Sequence, residues 1–151
     1  MCGIIGYCGQ HRASEILIEG LKRLEYRGYD SAGLCLVENN NLVCYKRVGP
    51  VAHLEEAVAR QDLGGHVGIA HTRWATHGIP SEVNAHPHFD CHHQIAIVHN
   101  GIIENYQALK ELLISEGHIF SSETDSEVLA HLIEKFYKGS LEEAVTKALA
   151  L

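Results

Sequence analysis

Two periodicities of apolar residues run along the chain. Residues 3–8 form a short, mostly apolar run that reads as a buried strand. In residues 13–24 the apolar positions Ile16, Leu17, Leu21 and Leu24 recur at helical spacing. Residues 27–33 read as a loop. Two strands are predicted over 34–37 and 42–45, and Glu38-Asn39-Asn40-Asn41 between them predicts a hairpin. A helix is predicted over 51–59 and a strand over 67–71, followed by a long irregular stretch over 72–93. Residues 95–98 read as a buried strand stopped by His99-Asn100-Gly101. Helices follow over 106–115 and 126–137, with Thr124 and Glu127 spaced as a capping box. Ser140-x-x-Glu143 opens a last helix that meets no stop signal before Leu151. The expectation is therefore a fragment of a longer protein.

Strands and helices in mixed order predict an α+β or layered α/β class. Two apolar four-residue strands predict a sheet covered on both faces. A length of 151 residues fits one domain, and 46% hydrophobic residues suffice for a core. No repeat, linker or low-complexity tract interrupts it.

Charge narrows the partners. Twelve basic against nineteen acidic residues give a net charge of −7, with no basic run. Nucleic acid and anionic membranes are thereby disfavoured as partners. No apolar run is long enough to span a bilayer, and the start lacks a signal-peptide pattern. The expected compartment is the cytoplasm. Five scattered cysteines with no C-x-x-C pair argue against a disulfide framework.

One cysteine has a special address. Cys2 follows the start methionine, and a small second residue normally lets Met1 be removed. Cys2 would then carry a thiol and a free α-amine, whose reference pKa of about 7.7–8.0 suits a general base near neutrality. One residue could supply nucleophile and base together. The alternative is a small residue that merely starts a buried strand. If Met1 stays attached, the amine is an amide and cannot act as base.

The other motifs decide between them. Met1-Cys2-Gly3-Ile4-Ile5-Gly6 resembles the N-terminal motif of class II glutamine amidotransferases. Leu24-Glu25-Tyr26-Arg27-Gly28-Tyr29-Asp30-Ser31-Ala32-Gly33 and His71-Thr72-Arg73-Trp74-Ala75-Thr76-His77-Gly78 narrow the resemblance. Asn84-Ala85-His86-Pro87-His88, His99-Asn100-Gly101-Ile102-Ile103-Glu104-Asn105 and Ser122-Glu123-Thr124-Asp125 complete it. In this order they resemble the glutaminase domain of glucosamine-6-phosphate synthases. The resemblance implies a four-layer α-β-β-α sandwich of the N-terminal nucleophile hydrolase type. That domain is longer than this chain, so residues 1–151 are expected to be its N-terminal part, truncated at the C-terminus and without the sugar-isomerase domains. A glutamine phosphoribosylpyrophosphate amidotransferase would share the start and the Asn-Gly pair, and is the alternative.

The resemblance also implies roles. Cys2 attacks the side-chain amide of L-glutamine, forming a γ-glutamyl thioester. Asn100 and Gly101 stabilise the oxyanion, although Asn-Gly alone reads as a turn. Arg73 binds the α-carboxylate, although alone it reads as a surface arginine. Asp125 binds the α-ammonium, although an acid near a helix start also favours the macrodipole. The segment 73–81 resembles a loop that closes over glutamine. Within it Thr76 and His77 contact substrate, and Trp74 is associated with ammonia passage. His86 is a substrate contact or lies behind one, and Arg27 supports the Cys2 end. No metal or organic cofactor is implied. The histidine-rich run 86–93 matches no zinc spacing, and its histidines read as incidental to the loop. In the longer enzyme the ammonia would convert fructose 6-phosphate to glucosamine 6-phosphate at the sugar-isomerase domain. This fragment alone is expected to be weakly active or inactive.

Overall fold

The computed structural model describes residues 2–151. Its first layer is helical. Helix α1 (Ala13–Leu24) buries Ala13, Leu17, Ile18 and Leu21, a stripe of positions that face one way at 3.6 residues per turn. Helix α2 (Val51–Ala59) buries Val51, Leu54 and Val58 on the same principle. Both cover a four-stranded antiparallel sheet. It comprises β1 (Gly3–Cys8), β2 (Ser31–Glu38), β3 (Asn41–Val48) and β4 (Val67–Arg73), in the order β1-β4-β2-β3. Leu34, Leu36 and Ala70 of the sheet join the helical leucines in one core. Full burial of each such leucine contributes about 1.5–3 kcal/mol.

A second, two-stranded sheet pairs β5 (His88–Phe89) with β6 (Ala96–Ile97). Helices α3 (Tyr106–Ser115), α4 (Glu127–Phe136) and α5 (Leu141–Ala148) cover it. Leu113, Val128, Leu132, Ile133, Ala144 and Ala148 form their core, with Ile95 and Ile97 packed against it. The layers are thus helix, sheet, sheet, helix, as the resemblance implied.

Several expectations need correction. The hairpin strands run three residues longer at each outer end than alternation suggested, so Ser31, Ala32 and Gly33 are strand and not loop. Only Asn39 and Asn40 turn the chain, both at positive φ (48° and 62°), which asparagine tolerates better than most residues. Strand β4 runs on to Arg73 because Thr72 and Arg73 pair with Ala32 and Ser31. His88 and Phe89, expected to be irregular, pair with Ile97 and Ala96. The Thr124–Glu127 capping box does not form. Ser126 is the N-cap and makes no side-chain cap bond. Thr124 Oγ1 meets His88 Nε2 at 3.0 Å, while the Glu127 carboxylate accepts from the backbone and hydroxyls of Ser121 and Ser122. The predicted cap at Ser140 does form, its hydroxyl accepting from Glu143 N at 3.3 Å.

Candidate functional site

Where the two halves meet, a cleft of about 520 Å³ opens. Cys2, His71, Arg73 and Trp74 reach it from the ends of β1 and β4, Thr76 and His77 from the loop beyond. His99, Asn100, Gly101 and Asp125 reach it from the other half. Arg27 and His86 also line it. All the candidate residues of the sequence analysis therefore border one cavity.

Cys2 sits at the mouth of β1. Its position is set by the β1–β4 register, in which Gly3 faces Thr72, and Gly3 N–H donates to Thr72 Oγ1 at 3.0 Å. Trp74 N–H donates to Cys2 Sγ at 3.1 Å, and the thiol faces Trp74 O at 3.7 Å. Trp74 is 56% exposed, and its ring covers the backbone of Gly28. Gly28 has φ 78°, and a Cβ there would lie 2.8 Å from the indole. Glycine is needed at this position on both counts.

Asn100 is oriented from behind. Its Oδ1 lies 2.7 Å from His71 Nε2, and its Nδ2 donates to Cys2 O at 3.3 Å. His71 Nε2 also meets His99 O at 3.2 Å. Both partners are acceptors, so the proton of the neutral ring sits on Nε2. Burial pushes the His71 pKa down to about 4, against the upward pull of these two bonds. Sequence reasoning gave His71 no role; its place inside a strand hid the contact with Asn100. The His71 ring lies against His86, centroids 4.1 Å apart, and His86 against His88 at 4.4 Å. His86 is almost wholly buried, which places it largely behind His71.

Arg73 is also buried. Its Nη2 donates to the carbonyls of His77 and Gly78, and Nη1 to Ile79 O at 3.5 Å. It is not the surface arginine that the residue alone suggested. Asp30 Oδ1 lies 3.9 Å away, and Asp30 Oδ2 accepts from Ala75 N–H. Asp30, another residue that sequence reasoning missed, thus fixes the turn at 73–75. Asn84 ties the far end of the loop, donating to Ile79 O at 2.9 Å and Glu123 Oε2 at 3.0 Å. Asp125 accepts from Ile103 N–H at 2.8 Å and faces His77 Nδ1 at 3.8 Å.

The run 86–93 does not gather its own histidines around one point. Cys91 instead meets His118, His131 and Glu134, a donor set assembled from distant segments that the sequence reading did not anticipate. None of these four borders the Cys2 cleft.

A thiol at the start of an edge strand, in a cleft between two layered sheets, defines an N-terminal nucleophile hydrolase fold. Residues 59–146 match the glutamine amidotransferase domain family. The chain belongs to that family. It is 53% identical over 148 residues to the glutamine–fructose-6-phosphate aminotransferase (isomerizing) of Clostridium perfringens, covering 98% of this chain and 24% of that protein. The enzyme of the same name from Yersinia pseudotuberculosis is 59% identical over 152 residues, covering 99% of this chain and 25% of that one. The chain thus spans about a quarter of the length of these relatives. Among solved structures, glutamine phosphoribosylpyrophosphate amidotransferase from B. subtilis superposes with a TM-score of 0.83 at 29% identity, covering 99% of this chain and 32% of that one.

Proposed function

We propose that this chain is the N-terminal part of the glutaminase domain of a glutamine–fructose-6-phosphate aminotransferase. It would release ammonia from L-glutamine for a sugar-isomerase domain of the same longer polypeptide. The observation that carries the reading is the Asn100 amide, held by His71 and aimed at Cys2. The 53–59% identity to aminotransferases favours this acceptor over phosphoribosylpyrophosphate, whose enzyme stands at 29%.

Cleavage of the Met1–Cys2 bond frees the Cys2 amine. Through a water, that amine takes the thiol proton while Sγ attacks the side-chain amide carbon of glutamine. Asn100 Nδ2 and Gly101 N–H hold the oxyanion. The intermediate collapses with the C–N bond breaking, and the Cys2 ammonium protonates the departing ammonia. Water then cleaves the γ-glutamyl thioester, giving glutamate and the free thiol. Asp125 takes the substrate ammonium. Arg73 takes the α-carboxylate; its guanidinium has more donors than the loop carbonyls use. Binding of substrate and ordering of the 73–79 loop are therefore coupled through one side chain. Thr76, His77 and Trp74 enclose the bound amino acid, and His86 backs His71.

Intact mass before and after exposure to an electrophilic glutamine analogue tests this. The expected result is a chain lacking Met1 with one adduct on Cys2, blocked by excess glutamine. An adduct elsewhere, or one indifferent to glutamine, would overturn the assignment of the cleft.

A further inference from the structure

The cluster around Cys91 lies outside the glutamine cleft. Cys91 follows β5 in the turn toward β6. His118 follows α3, just after Gly117, which has φ 98°. His131 and Glu134 stand three apart on α4 and so share a face. Cys91 Sγ lies 3.6 Å from His118 Nδ1 and 3.5 Å from His131 Nδ1. The two Nδ1 atoms are 3.3 Å apart. Glu134 Oε2 is 2.9 Å from His118 Nδ1 and 3.4 Å from His131 Nδ1.

Hydrogen bonds alone do not account for this. Each Nδ1 and the thiol can carry one proton, and each proton points at one acceptor. Five close contacts among four atoms exceed what those protons can serve. One cation at the centre serves all of them. A tetrahedral zinc with bonds of about 2.3 Å to sulfur and about 2.0–2.1 Å to nitrogen and oxygen spaces its ligands by roughly 3.3–3.6 Å. Four of the five distances fall in that range, and the His118–Glu134 contact is shorter.

We propose that Cys91, His118, His131 and Glu134 form a structural zinc site. A thiolate and a carboxylate would neutralise the divalent ion, with two neutral imidazoles completing the set. Four protein donors leave no open position, so the site is structural rather than hydrolytic. His131 is 1% exposed, and the side chains of His118 and Glu134 are 13% and 17% exposed, which keeps water out. Behind the ligands, His131 Nε2 has no hydrogen-bond partner among the described residues but faces Glu127 Oε1 at 3.6 Å. Glu127 is itself held by Ser121 and Ser122. A carboxylate behind a ligating histidine fixes its tautomer and orientation. The ion would pin the β5–β6 turn and the end of α3 to α4.

The test is metal analysis of the chain purified without chelators from zinc-supplemented medium. The expected result is one zinc per chain. Replacement with cobalt(II) should give visible bands of tetrahedral intensity and a near-ultraviolet thiolate-to-cobalt band. Cys91→Ser should abolish the thiolate band, while Cys8→Ser, at an exposed cysteine that is not part of the cluster, should leave it. Glu127→Gln, a change behind the ligands, should weaken zinc binding by roughly 10–100-fold. A strong chelator should lower the melting temperature of the parent chain, and zinc should restore it. These parent-chain readings hold even if a variant fails to fold. A folded parent chain that takes up neither zinc nor cobalt, or a thiolate band that survives Cys91→Ser, would overturn the proposal.

Discussion

The single hydrogen bond from His71 to Asn100 carries much of the site. It uses the Asn100 oxygen and thereby turns the amide nitrogen toward Cys2. In the longer enzyme, Asn100→Ala is expected to lower the glutaminase rate by roughly 10²–10³, the usual cost of one oxyanion donor. His71→Phe should lower kcat by about tenfold or more through a misaimed amide, with a smaller effect on KM. Steady-state glutamate release measures both. A His71→Phe effect confined to KM would mean that the histidine serves binding instead. These two residues also show what was legible. That Asn100 borders the cleft was readable from the motif around it, whereas the contact of His71 depends on a neighbour twenty-nine residues away and needed the fold. Cys91 was hidden for the same reason. Its partners lie twenty-seven and forty residues further on, so no local spacing could announce them.

At the level of elements, the helices were the easiest to read, since a buried stripe repeats along each of α1 and α2. The strands were harder. Gly33 looked like loop because glycine is poor in strands, but the structure uses its missing side chain. A Cβ at Gly33 would lie 2.0 Å from the carbonyl oxygen of His86, so the 84–88 segment can rest on β2 only if residue 33 is glycine. Gly33→Ala should cost roughly 1–3 kcal/mol in urea unfolding. A change below a few tenths would mean that the segment yields easily.

The same segment joins His86 and His88 to His71 in a buried row. Burial lowers His88 to about 3 and His71 to about 4, and pushes His86 well below its ordinary value, with Lys46 and Arg73 adding to the effect on His86 and His88. In the unfolded chain each would titrate near 6.5. Above that pH both states are neutral and no stability is lost. As pH falls below about 6.5, the unfolded chain binds protons that the folded chain refuses. Each histidine then removes about 1.4 kcal/mol per pH unit, a loss that ends near pH 4 for His71 and near pH 3 for His88. Urea midpoints taken between about pH 7 and pH 5 should therefore fall steadily. A flat profile would mean that the row accepts protons without unfolding.

Across the whole molecule, two separate cores meet at the cleft. One lies between α1, α2 and the large sheet, and the other between the small sheet and α3–α5. Trp74, the sole tryptophan, stands at the seam between them. Leu54→Ala in the first core and Leu132→Ala in the second should each cost about 2–5 kcal/mol. If the halves unfold as one, both substitutions shift the same Trp74 fluorescence transition. Two separated transitions would show that the halves are independent and that the cleft can open without either core melting. Neither half holds both Cys2 and the Asn100 amide that donates to its carbonyl.

Strand β1 is an edge of the large sheet and begins one residue after Cys2. Its pairing with β4, from Gly3 opposite Thr72 to Cys8 opposite Val67, works as a ruler laid back from the sheet to Cys2. Each residue on that ruler advances the chain by about 3.3 Å and reverses the direction of the side chain. On the proposed mechanism, an aminopeptidase that trimmed one residue too many would remove the nucleophile. An affinity tag fused at this end would leave the sulfur in place but bury its base inside a peptide bond. On the proposed mechanism, removal of Met1 is in this sense part of the assembly of the catalytic centre.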